Sequence, residues 1–394
     1  MKLKNIFLPA IMALSLAGCS DEKLGPTIFP DVSDDVDPSS YSYKFDTWVN
    51  RNFRDVYNLE FKYKMEDVEA DMNYNLVPAT YANARDLCLL THYLWFESYR
   101  ELYEATNPEH GADFLKTYGP RILHLIGSPA YNPNTGTEIL GLAEGGLKVT
   151  LYKVNEMQLT DINQMNEYYF RTMHHEFGHI LHQTKSYPTD FNLLSTGRYD
   201  SGSWQSKAIG YVASQGFITP YASSENREDF AETIANYLTR SQEQMDLILW
   251  MAGKGWTTGK DDDKMNVDDA EYYAYYYVPD ASKPDNRTYF LSSDEHDATN
   301  RVCLIGEKGE HFYTVEEVEA YIEKMNSTVS GGVFAVEDKD TIDGKEMILQ
   351  KQNIARNWFK DTWSLDFDKL REIVQRRQQD FDIEALRAEI EAIN

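Results

Sequence analysis

Cysteine is scarce in this chain, with only Cys19, Cys88 and Cys303 among 394 residues. That number cannot build a disulfide framework, and no Cys-x-x-Cys pair exists to hold a structural zinc. Cys88, set in Leu87-Cys88-Leu89-Leu90, reads as a small buried hydrophobe rather than a nucleophile. Positive charge is also short, 38 Lys and Arg against 64 Asp and Glu, for a net charge of −26. Such a balance argues against nucleic acid or anionic lipid as a partner. Long apolar runs are missing: Ile6 to Ala17 is too short to cross a bilayer as a mature helix, and no other segment is long and apolar enough. There is no internal repeat.

What the N-terminus does contain is a basic Met1-Lys2-Leu3-Lys4, the apolar run, and then Leu16-Ala17-Gly18-Cys19. This resembles a bacterial lipobox, which implies cleavage before Cys19, lipidation of that cysteine and an outer-membrane lipid anchor. Without Lys2 and Lys4 the net charge of −26 becomes −28. Ser20-Asp21-Glu22 resembles the acidic export signal of Bacteroidetes surface lipoproteins, so the expected location is the outer membrane, on the cell surface. The expected organisation is a signal peptide over 1–18, a lipidated Cys and flexible tether over 19–42, and a catalytic domain over 43–251. An acidic, aromatic-rich insertion over 252–345 and C-terminal helices over 346–394 complete it. Asp261, Asp262, Asp263, Asp268 and Asp269 lack the glycine an EF-hand loop needs and read as a solvated loop.

The most informative stretch is His175-Glu176-Phe177-Gly178-His179. Apolar residues at Met165, Tyr168, Tyr169, Met173, Phe177, Ile180 and Leu181 recur at three- and four-residue intervals, which predicts an amphipathic helix over about 162–185. On a helix the two histidines project from one face a turn apart and reach one metal ion, while Glu176 can hold a water on it. His174 points elsewhere and reads as a packing residue. His182 lies a further turn along and reads as a surface or cleft-lining residue. Leu147 to Val154 alternates like a half-buried strand and is expected to lie along the cleft.

A catalytic zinc needs three protein ligands and an open position, so one more Asp, Glu or His must come from elsewhere. A metzincin would continue with Gly at 182 and His at 185, where this chain has His182 and Lys185. Glu228 and Glu232 are better candidates: they share a face at i and i+4 of a helix for which Asn226 is the expected N-cap, with Asp229 completing a capping box. Like charges on a partly apolar face are easier to explain with a cation or an imidazole N–H opposite them.

An H-E-x-x-H helix followed by Tyr221-x6-Glu228-x-Phe-Ala-Glu232 resembles the gluzincin site of the lethal-factor catalytic domain. More closely it resembles the substrate import-associated zinc metallohydrolase lipoproteins of the Bacteroidetes, as do Tyr74 to Pro78, Gly141 to Gly146 and Asn353 to Arg377. That resemblance implies an α+β, mostly helical zincin-like fold with a small sheet alongside the active-site helix. It implies a Zn2+ cofactor on His175, His179 and Glu228, with Glu176 as general base and Tyr221 stabilising the oxyanion. Glu232 would then accept from the far nitrogen of a zinc-bound histidine. The implied function is zinc-dependent hydrolysis of peptides, proteins or glycoproteins beside a TonB-dependent importer and its surface binding lipoprotein. Alternatives are a non-catalytic substrate-binding lipoprotein of the same import system and a hydrolase of a non-peptide amide or ester.

Overall fold

A computed structural model describes residues 36–65, 76–131, 148–207, 209–254 and 342–393, together with the backbone of six further strands. Cys19, most of the tether and the aspartates of 261–269 lie outside the described residues.

Helices dominate. The first, α1, runs from Tyr43–Val49 through a π turn at Asn50–Arg54 to Asp55–Tyr57. The second, α2, does the same, from Tyr81–Leu90 through Thr91–Phe96 to Glu97–Thr106. Thr80 caps α2 by accepting from the Asn83 N–H. A short α3, Asp113–Tyr118, leads into the sheet. Strands β1 (Glu60–Lys62), β2 (Ile122–Leu125) and β6 (Lys148–Leu151) pair in parallel, and β5 (Gly141–Glu144) adds antiparallel to β6. Between them β3 (Ala130–Tyr131) and β4 (Glu138–Ile139) form a separate two-stranded ladder.

The sheet order β1-β2-β6-β5 corrects one expectation. The alternating segment at 147–154 is strand only over Lys148–Leu151, and it is internal, with β2 and β5 occupying both its edges. The edge strand is β5, which packs against the helix that carries His175 and His179. Parallel pairing needs both faces covered, so His124 and Thr150, paired in register, are as buried as their apolar neighbours Leu123 and Val149.

The helix that carries His175 and His179, α4, comprises Ile162–Met165, a π turn at Asn166–Phe170 and Arg171–Thr184. Asp161 starts it by accepting from the N–H groups of Asn163 and Gln164. Then come α5 (Asp190–Leu194), α6 (Ile209–Ser214), α7 (Asn226–Thr239) and α8 (Gln242–Lys254). Three C-terminal helices close the molecule: α9 (Gly344–Trp363), α10 (Phe367–Asp380) and α11 (Ile383–Glu391), each capped by an aspartate, Asp343, Asp366 and Asp382. Trp358, Trp363, Leu365 and Leu370 are buried in one core with Phe177, Phe230 and Trp95, so α9 and α10 pack against α7 while α11 reaches α1 and α2. Cys88 lies in that core, fully buried.

Four strands, β7 (Tyr275–Pro279), β8 (Arg287–Leu291), β9 (Val302–Gly306) and β10 (Gly309–Tyr313), form an antiparallel meander in the order β10-β9-β8-β7. Sequence reading found only turns, acid and aromatics there.

Candidate metal centre

Two helices build the site. Along α4, His175 and His179 stand a turn apart, and α7 crosses opposite them. Gly178 sits at the crossing, where an added Cβ would lie 3.5 Å from the Ala231 Cα and 3.6 Å from the Ile234 side chain. An alanine would just fit, whereas anything longer would push α7, and the glutamates it carries, away from α4.

The His175 and His179 Nε2 atoms are 3.0 Å apart, and Glu228 Oε2 lies 3.0 Å from the first and 3.1 Å from the second. Three ligand atoms therefore converge in a nearly equilateral triangle. On a tetrahedral zinc with bonds of about 2.0–2.2 Å such atoms stand roughly 3.3–3.6 Å apart, so the triangle is close to one face of that tetrahedron. Its chemistry fits as well, since two imidazoles and a carboxylate are a normal zinc set. Among the described residues no other group of three His, Cys, Asp or Glu converges in this way.

Each histidine is held from behind. Glu232 Oε1 accepts from His175 Nδ1 at 2.8 Å, and the other Glu232 oxygen accepts from the Thr219 hydroxyl at 2.6 Å and the Asn236 amide at 3.1 Å. His179 Nδ1 faces His182 Nε2 at 2.9 Å. His182 is thus a buried member of the cluster, only 8% exposed, which corrects its reading as a surface residue. The fully buried His174 packs as expected, its Nδ1 3.1 Å from the Tyr99 hydroxyl.

Burial opposes a charge on His175, but hydrogen bonds to Glu228 and Glu232 outweigh it and raise its pKa to about 10. For Glu232 burial pushes up, yet His175 prevails and holds the carboxyl down at about 2. Glu228 is likewise lowered, by His175 and His179 against its own burial. Burial lifts Glu176, tempered by the two histidines. His182 is lowered to about 4, by burial first and then by His179 and Arg227. The cluster thus concentrates negative charge around two imidazoles that point the same way, an arrangement complementary to a cation.

Tyr221 opens a 3-10 turn, Tyr221–Ser223, just before α7. Its ring lies between His175, centroids 5.7 Å apart, and Trp204, 4.7 Å apart. Its hydroxyl shares the Glu228 carboxylate, and burial, then Glu228 and Glu232, raise its pKa. The structure corrects the start of α7: the N-cap position is Glu225 with no side-chain cap, and Asn226 is already helical. Asp229 makes no capping box. Fully buried, it pairs with Lys351 of α9 at 2.6 Å.

Sequence reasoning missed Thr219, Trp204, Asn236 and the role of His182. Asn236 and His182 left a signal, standing four residues after Glu232 and three after His179; Trp204 and Thr219 left none. A cavity of about 840 Å³ opens elsewhere, beside β1 between Asp46, Arg54, Tyr63 and Arg121, and no residue of the metal cluster lines it.

Residues 39–279 match the model of a family described as "putative zinc-binding metallo-peptidase". A crystal structure of "a putative zinc-binding metallo-peptidase" from Bacteroides caccae is 31% identical, with a TM-score of 0.54, and the match covers 86% of this chain and 94% of that one. No curated protein matches. The mostly helical fold with its small, largely parallel sheet is therefore that of a zinc metallopeptidase, and the chain belongs to this family of zinc-binding metallo-peptidases.

Proposed function

We propose that this protein is a gluzincin-type peptidase that hydrolyses peptide bonds of proteins or glycoproteins, with zinc held by His175, His179 and Glu228. The observation that carries the reading is the triangle of His175 Nε2, His179 Nε2 and Glu228 Oε2, with a buried Glu176 one residue along. Zinc, when bound, supplies a Lewis acid that acidifies a water and polarises a carbonyl. Glu176 takes the proton of the attacking water and later delivers it to the leaving amine, a role suited to a carboxyl whose pKa burial has raised. Tyr221, whose raised pKa keeps its proton in place, donates to the carbonyl oxygen as negative charge develops there. Glu232 holds His175 in the tautomer that leaves Nε2 bare. In this reading Cys19 carries the lipid that anchors the chain to the outer membrane at the cell surface, where it works beside a TonB-dependent nutrient importer.

Zinc counted by elemental mass spectrometry on the mature chain tests the site. One zinc per chain is expected, and Glu228→Ala should weaken it by at least the ~10–100-fold that loss of an outer partner costs. Absence of zinc after reconstitution would sink the peptidase reading and favour the binding lipoprotein.

Protons and metal compete for His175. Its folded pKa of about 10 lies above the unfolded value of about 6.5. The stability it adds to the metal-free protein is therefore complete below about pH 6.5 and lost as pH rises through about 10. Glu228 and Glu232 are depressed, so theirs is present above about pH 4.5 and lost on acidification. Because zinc must displace the His175 proton, its apparent affinity is expected to rise about tenfold per pH unit between about pH 7 and about pH 9. Chelator competition across that range checks this, and a flat profile would contradict it.

A further inference from the structure

We propose that His182 is a positioning residue for the metal ligand His179, a neutral acceptor that holds the His179 proton on Nδ1 and leaves Nε2 bare for the metal. The inference rests on the metal site proposed above and assigns to it a residue outside the H-E-x-x-H pattern. Its first support is geometric. His182 Nε2 lies 2.9 Å from His179 Nδ1, with the rings 74° apart and their centroids 5.1 Å apart, so an N–H of one ring points at a ring nitrogen of the other. Both residues sit on α4, three positions apart, and the helix fixes their spacing.

The second support is what surrounds His182. Tyr187 meets its ring edge-on at 5.5 Å and 88°, and Phe230 does so at 6.3 Å and 77°. Those two rings stack on one another at 4.1 Å, and Phe230 continues into Phe191 and Trp358. The imidazole is therefore wedged by aromatic packing that reaches α9, and its free choice of rotamer is gone.

The third support is charge. The carboxylates of Glu228 and Glu232 lie within 3.1 Å of the two imidazoles, and Glu176 is buried beside them. A divalent cation balances two of these three carboxylates. His175 has an anionic partner in Glu232; a second such partner behind His179 would add a fourth negative charge to a largely buried cluster. A neutral imidazole supplies the required acceptor without it. The two ligands are thus held in the same tautomer by different means, one by a carboxylate and one by a histidine.

Zinc dissociation constants, measured by chelator competition on the mature chain, test this with His182→Leu and His182→Gln. Leucine cannot accept a hydrogen bond, while the glutamine amide oxygen reaches about where Nε2 stands. His182→Leu is expected to weaken zinc by about 10–100-fold, and His182→Gln to restore it to within a few-fold of wild type. Equal weakening in both variants would overturn the proposal, leaving His182 as packing alone, as would undiminished affinity in His182→Leu. Should wild type itself bind no zinc, the metal site fails first, a result distinct from either of these.

Discussion

Replacing Glu176 by glutamine is expected to lower kcat by about 10²–10⁴-fold while zinc stays at one per chain. That range corresponds to roughly 3–5 kcal/mol of transition-state stabilisation, at about 1.36 kcal/mol per tenfold. Glutamine keeps the size and polarity of the side chain but cannot take a proton, so the site keeps its shape and loses its base. The substitution is informative because Glu176 is not one of the three convergent ligand atoms. Burial raises its pKa, and hence the acid limb of kcat/KM should lie above the ordinary carboxylate range. Single-turnover hydrolysis of a peptide library by wild type and Glu176→Gln at matched zinc content is the measurement. A variant that cleaves as fast as wild type would remove Glu176 from the mechanism. One that binds the same peptides, beside a wild type that never cleaves them, would mark a binding protein.

The metal site was more legible than its supports, for a physical reason. The proposed zinc site is written locally: His175 and His179 stand one turn apart on a helix, and Glu228 and Glu232 one turn apart on another, so their spacing is visible without knowing how the helices meet. Periodicity likewise marked α4, and the apolar neighbours of Cys88 marked that residue as buried. What closes the site is not local. His182 was misread because exposure depends on Tyr187 and Phe230, which arrive from the loop after α4 and from α7. Trp204 reaches Tyr221 from a short 3-10 turn with no periodic signal. The alternating Lys148–Leu151 carries the pattern of a half-buried strand, yet both its edges are filled because β5 arrives antiparallel, a fact of topology and not of alternation. Asn226 failed as an N-cap because the helix starts one residue earlier, the Asp229 N–H donating to the Glu225 carbonyl, while the Asp229 side chain turns inward to Lys351.

Substituting Lys351 by methionine is expected to destabilise the protein by about 3–5 kcal/mol, because it strands a buried carboxylate. The Lys351 side chain is 1% exposed and that of Asp229 0%, their charged atoms 2.6 Å apart. Burial pushes the Asp229 carboxyl up and the Lys351 amine down, and the opposite charge of the partner works against both shifts. Lys351 also donates to the Gly216 carbonyl at 2.7 Å, and the Tyr199 hydroxyl donates to Asp229 at 2.8 Å. Gly216 has a positive φ of 87°, and a Cβ there would stand 2.8 Å from Met347, so this acceptor is placed by a backbone that other residues would strain. Urea denaturation of wild type, Lys351→Met and the double variant Asp229→Leu/Lys351→Met separates the terms. The double variant should recover most of the loss, since exchanging both members of a buried pair for apolar residues is often near neutral. Asp229 lies on α7 directly after Glu228, so Lys351 of α9 ties down the turn that carries the proposed third metal ligand. Zinc affinity is therefore expected to fall in Lys351→Met even at urea concentrations where the chain remains folded. A variant as stable as wild type, with zinc unchanged, would show that α7 is placed by apolar packing against α4 and α9 and not by this pair.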